Sequence, residues 1–170
     1  MSGPSWVEQR RSVRHVDVPT RLVVAEDSFI VREGVRMLLE EAGYEVAAVA
    51  DDLDGLIEAV AAKHPDVVIT DIRMPPTNTD EGVRAARQIR AEHPETGVVV
   101  LSQYVEPEYA VRLFEAGSAG LAYLLKERVG DLREMEAAIA LFAMADRRST
   151  RRWSMRCWRD RATRSRNWRG

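Results

Sequence analysis

The chain has 170 residues, 45% of them apolar, which suits one ordinary folded core and excludes wholesale disorder. Its net charge of −2 hides a division: residues 21–146 carry 24 acidic and 12 basic side chains, whereas residues 147–170 carry ten arginines and one acid, Asp160. The chain has no transmembrane run of about 18 apolar residues, no apolar signal stretch within residues 1–20, and only one cysteine, Cys157, so a cytoplasmic protein without disulfide or metal cluster is expected.

Residues 1–20 show no sustained period and read as a flexible leader. The next 125 residues, 21–145, read as one folded domain. Leu22-Val23-Val24-Ala25 predicts a strand, and Ser28 is a candidate N-cap for a helix through Val31, Val35, Leu38 and Ala42, stopped by Gly43. Val46 to Ala50 predicts a second strand; Leu53, Leu56, Ile57, Val60 and Ala61 keep helical spacing until Pro65. The unit then repeats, with strands at 67–70, 98–101 and 121–125. Helices are expected at 81–92, at 107 to about 116, and at 131 to about 145, the last with Leu132, Met135, Ile139 and Phe142 inward. Continuously apolar strands separated by helices predict a five-stranded parallel sheet covered on both faces, an open doubly wound α/β fold.

In such a sheet, ligands bind outside the carboxyl ends of the strands. Glu26 and Asp27 follow the first strand, Asp71 the third, Ser102 the fourth and Lys126 the fifth. Three carboxylates gathered on one edge repel one another and suit a hard divalent cation, Mg²⁺ above others. A carboxylate beside Mg²⁺ can attack a phosphoryl group, while a hydroxyl and an ammonium steady its oxygens.

Four segments carry a resemblance: Val-Val-Ala-Glu26-Asp27-Ser, Val-Val-Ile-Thr-Asp71-Ile-Arg-Met-Pro, Val-Val-Leu-Ser102 and Ala-Tyr123-Leu-Leu-Lys126. Residues 21 to about 140 resemble the receiver domain of two-component response regulators, of the type that precedes LuxR-type helix-turn-helix domains. The resemblance implies a flavodoxin-like (βα)5 fold and Asp71 as phosphoacceptor from a sensor histidine kinase. It implies Asp27 as a direct Mg²⁺ ligand, Glu26 as one acting through water, and the backbone carbonyl of Arg73 as a third. Ser102 and Lys126 would contact the phosphoryl group, and Tyr123 would be an aromatic switch turning inward with Ser102. A homodimer, control of transcription, and only slow self-dephosphorylation belong to the same expectation. Asp-nucleophile phosphatases carry a second aspartate two positions after the nucleophile; here that position is Arg73, which argues against steady turnover.

His64 and His93 each precede a proline at a helix end and read as caps or solvated residues. Residues 146–170 hold Trp153, Trp158 and Trp168 among their arginines, the composition of a nucleic-acid arm, yet they lack helical periodicity. In the reading frame one base back, Trp153, Cys157 and Trp158 become Leu, Met or Val, and with GC-rich codons the arginines become mainly alanine. The tail is accordingly read as disordered or as a frameshifted remnant of a longer regulator. DNA is a partner only if that tail, or a helix-turn-helix domain, is functional; a stand-alone receiver acting through protein contacts is the alternative.

Overall fold

The computed structural model describes residues 19–128 and 132–143. Five strands, β1 (Arg21–Ala25), β2 (Glu45–Ala50), β3 (Val67–Asp71), β4 (Gly97–Ser102) and β5 (Leu121–Leu125), alternate with helices α1 (Phe29–Glu41), α2 (Leu53–Lys63), α3 (Glu81–Glu92), α4 (Pro107–Phe114) and α5 (Leu132–Ala143). All strand pairs are parallel, in the order β2-β1-β3-β4-β5. The predicted strands and helices are all present, and no described helix is long and apolar enough to cross a membrane.

The central strands are buried on both faces, which is why they read as unbroken Val/Ile runs rather than as alternating patterns. Along β1, Val23 and Ala25 join Val68 and Val100 in a core that packs against Leu56 of α2, Ile89 of α3 and Leu113 of α4. Leu22 and Val24 point the other way and meet Val35 and Leu39 of α1 and Met135 and Ile139 of α5. Helices thus cover both faces, and every strand's carboxyl end is left at one open edge. Met135 and Ile139 are inward as expected and Phe142 is partly buried against the same core; the Leu132 side chain lies outside the described residues.

Helix ends follow from local chemistry. Asp52 caps α2 by accepting from the Gly55 amide at 2.7 Å. Pro107 opens α4, where a missing N–H is harmless. That helix stops at Phe114, short of the expected Ala116, because the chain turns through Gly117 at φ +117°, a region open to glycine. Both His64 and His93 are C-caps, as read, and their rings meet edge to face with centroids 6.1 Å apart. Ser28 is the N-cap of α1 by backbone geometry, but its side chain makes no capping hydrogen bond. A short 3-10 turn, Lys126–Arg128, follows β5. Of the leader read at residues 1–20, residues 1–18 lie outside the described residues, as does the tail read at 146–170.

Candidate functional site

Adjacent strands β1 and β3 bring the acids together. The Glu26 amide donates to the Ala50 carbonyl at 3.0 Å, and the Ile72 amide to the Leu101 carbonyl at 3.1 Å, so both acidic segments leave the sheet as ordered extensions of their strands. Glu26 and Asp71 are buried and Asp27 is exposed. One carboxylate oxygen from each of the three lies within 4.8 Å of the others. Among the described residues they form the one cluster of three or more candidate metal ligands.

Lys126 enters from the end of β5 and closes this cluster. Its Nζ donates to Glu26 Oε2 at 2.6 Å and lies 2.9 Å from Asp71 Oδ2. The other Asp71 oxygen, Oδ1, accepts from the Ile72 amide at 2.7 Å. Burial pushes the Glu26 carboxyl above its usual range, against the Lys126 hydrogen bond that favours its charge. Burial would lower the Lys126 ammonium, but its hydrogen bonds and charge contacts with Glu26 and Asp71 outweigh burial and hold it above the ordinary lysine value. One ammonium faces three carboxylates, so the cluster holds an excess of negative charge. All-oxygen donors with excess negative charge fit a hard divalent cation.

Ser102, buried at the end of β4, does not reach toward Asp71 with its proton. Its Oγ donates to the Tyr104 carbonyl at 2.7 Å and accepts from the Tyr104 amide at 3.3 Å. The Tyr123 hydroxyl, from β5, donates to the same Tyr104 carbonyl at 3.2 Å. One backbone oxygen therefore holds both hydroxyls singled out in the sequence. The Arg73 side chain lines the same pocket as Asp71 and is held at its rim: its Nη2 donates to Glu106 Oε1 at 2.5 Å, and its guanidinium carbon lies 5.9 Å from the Tyr109 ring centroid.

The loop from Asp71 to α3 contains a cis Pro75–Pro76 bond and is organised by Glu81, a fully buried acid. Glu81 accepts from the Thr77 amide at 3.0 Å, from the Thr77 hydroxyl, and from the Thr79 amide at 2.9 Å. Burial pushes this carboxyl up, yet those donors prevail and set its pKa at about 2. The next residue, Gly82, donates its amide to the Ile72 carbonyl at 2.8 Å. A Cβ there would stand 1.9 Å from the Asp71 carbonyl oxygen, so α3 touches the backbone of Asp71 itself.

Structure thus brings together Glu26, Asp27, Asp71 and Lys126, with Ser102 on the neighbouring strand end and Tyr123 behind it. Sequence reading missed Tyr104, Glu81, Gly82 and Glu106. A threonine four residues before a glutamate at a helix start was a usable signal for the Glu81 loop; a backbone acceptor such as the Tyr104 carbonyl leaves none.

A family model described as the response regulator receiver domain matches residues 22–139. The transcriptional regulatory protein DegU of Brevibacillus brevis is 37% identical over 112 residues, 65% of this chain and 45% of DegU. The transcriptional regulatory protein PdtaR of Mycobacterium tuberculosis is 32% identical over 127 residues, 74% of this chain and 59% of PdtaR. Among solved structures, the signal receiver domain of NarL from Mycobacterium tuberculosis matches with a TM-score of 0.61 at 30% identity, covering 71% of this chain and 96% of that one. The chain spans about half the length of the curated relatives it matches.

Proposed function

The chain belongs to the response regulator receiver family, and from that premise we propose that Asp71 takes a phosphoryl group from the phosphohistidine of a sensor histidine kinase. Asp71 Oδ2 attacks phosphorus, the phosphorus–nitrogen bond of the donor breaks, and the imidazole nitrogen keeps the electron pair and picks up a proton. Mg²⁺ is the divalent cation that best suits the acids: Asp27, Asp71 and the Arg73 carbonyl would hold it directly and Glu26 through water, and it would neutralise charge on the phosphoryl oxygens. Lys126, already 2.9 Å from Oδ2, stays beside the new acyl phosphate and stabilises its spread charge.

The observation that carries this reading is the single ammonium bridging Glu26 and Asp71, with the Ser102 hydroxyl at the adjoining strand end. The modification adds about −1.5 to −2 charges and strong acceptors. Ser102 then leaves the Tyr104 carbonyl for the phosphoryl group, the β4–α4 loop follows, and Tyr123 loses or shifts its own bond to that carbonyl. Similarity to the transcriptional regulatory proteins DegU and PdtaR supports an output in transcription, by homodimerisation of modified receivers. Contact with DNA falls to a helix-turn-helix domain or to residues 146–170 rather than to the acidic face of the receiver.

Incubation with acetyl phosphate and Mg²⁺, followed by intact mass spectrometry, tests the reading. The wild-type chain should gain the mass of one phosphoryl group, and the gain should vanish in Asp71→Asn and after chelation. Equal modification of Asp71→Asn at the same site would refute it.

A further inference from the structure

An ion pair that the phosphotransfer just described leaves unused crosses the mouth of the Asp71 pocket. That pocket is walled by Arg73, Ser102, Gln103, Tyr104 and Glu106. Arg73 stands two residues after Asp71 in the β3–α3 loop, and Glu106 is the N-cap of α4, thirty-three positions further on. Their 2.5 Å contact therefore spans the opening from one loop to the other, and the guanidinium carbon lies over the Tyr109 ring of α4, 5.9 Å from its centroid. Both side chains are partly exposed, 48% for Arg73 and 29% for Glu106, so the pair is screened and easily exchanged for a stronger partner. With its carboxylate taken by Arg73, Glu106 makes no side-chain hydrogen bond to the first amides of α4.

From this geometry we infer that Glu106 is a positioning residue that holds Arg73 in reserve and sets how strongly it engages the incoming phosphoryl donor. The inference rests on Asp71 being the phosphoacceptor. A phosphoryl group offers more charge than a carboxylate and three oxygens that match the guanidinium fork. When such a donor enters, Arg73 exchanges Glu106 for the phosphoryl oxygens. The released carboxylate is repelled by the same oxygens and, standing at the N-cap, is attracted by the positive dipole end of α4. Only hydrogen bonds and ion pairs are exchanged. The latch thereby sets donor affinity and passes the event to the start of α4 by a route separate from Ser102.

The test is the rate of Asp71 modification against acetyl phosphate concentration at fixed Mg²⁺, read by intact mass. It compares the wild-type chain, Glu106→Gln, Arg73→Gln and the double variant. Glu106→Gln frees Arg73, so the half-saturating donor concentration should fall about three- to tenfold, with the change falling there rather than on the maximal rate. Arg73→Gln should raise that concentration, and the double variant should match Arg73→Gln alone. Glu106→Asp, which keeps the charge, should stay near the wild type. The inference is overturned if Glu106→Gln behaves as wild type, or if its effect persists in full when Arg73 is Gln. Absence of modification on the wild-type chain, or equal modification of Asp71→Asn, would instead strike the phosphoacceptor reading itself and the latch with it.

Discussion

Asp27 is the exposed acid of the cluster, and replacing it with asparagine should have opposite effects with and without Mg²⁺. Its carboxylate oxygen lies within 4.8 Å of one on Glu26 and one on Asp71. Two unit charges at this distance repel by about 0.9 kcal/mol in a water-like medium and about 3.5 kcal/mol at an effective dielectric of about 20. Exposure places Asp27 near the first limit, and Lys126 offsets part of the excess, so removing its charge should stabilise the metal-free domain by about 1 kcal/mol. Added Mg²⁺ acts the other way, because a ligand at about 100 times its dissociation constant stabilises the native state by about 2.7 kcal/mol. The wild type should gain most of that and Asp27→Asn little. Urea denaturation followed by far-ultraviolet circular dichroism, in chelator and in excess Mg²⁺, should show the order of stabilities crossing. A variant no more stable than wild type in chelator would refute the repulsion argument. An equal Mg²⁺ response in the two proteins would refute the assignment of Asp27 as a ligand.

Glu81→Gln should destabilise the domain by about 2 kcal/mol at neutral pH, the full fall from 4.5 to about 2 being discounted because the threonine loop that holds the carboxyl is solvent-exposed. The folded pKa lies below the unfolded one, so this stabilisation is complete above pH 4.5 and drains away as pH falls toward about 2. Denaturation of both proteins from pH 7 down should show the gap narrowing to under about half by pH 3, and a gap independent of pH would refute it. Gly82→Ala would place a Cβ 1.9 Å from the Asp71 carbonyl oxygen and 2.8 Å from its carbon. These are backbone atoms at a strand end, so a loss of about 3 kcal/mol is expected despite the roughly 1 kcal/mol gain in helix propensity. A urea midpoint equal to wild type would show that the α3–β3 contact is loose.

The layered fold was legible because its signals are local and repeated. Val67 to Ile69 and Val98 to Leu101 are apolar throughout because both faces of the sheet are covered. The site was legible for a related reason: Glu26, Asp27, Asp71, Ser102 and Lys126 each follow a strand directly, and parallel pairing turns that common position into one edge. What stayed hidden depends on long-range or backbone partners. Nothing around residue 106 announces that its carboxylate meets Arg73, and nothing marks the Tyr104 carbonyl as the acceptor for Ser102 and Tyr123. Hydrophobic periodicity also treats Glu81 as an ordinary helix-start charge, although it is fully buried.

The Lys126–Glu26 bond joins residues 100 positions apart, which directly follow the first and last strands in chain order. A ribosome delivers those partners in that order. While the nascent chain ends anywhere before residue 126, Glu26, Asp27 and Asp71 have no ammonium to offset them, and gathering them on one edge is uphill. On the proposed function, competence to take a phosphoryl group would therefore wait for the residue that follows the final strand. A truncated or half-synthesised copy would lack the balanced acidic edge, so on the proposed function the same charge pattern would tie phosphoryl transfer to completion of the sheet.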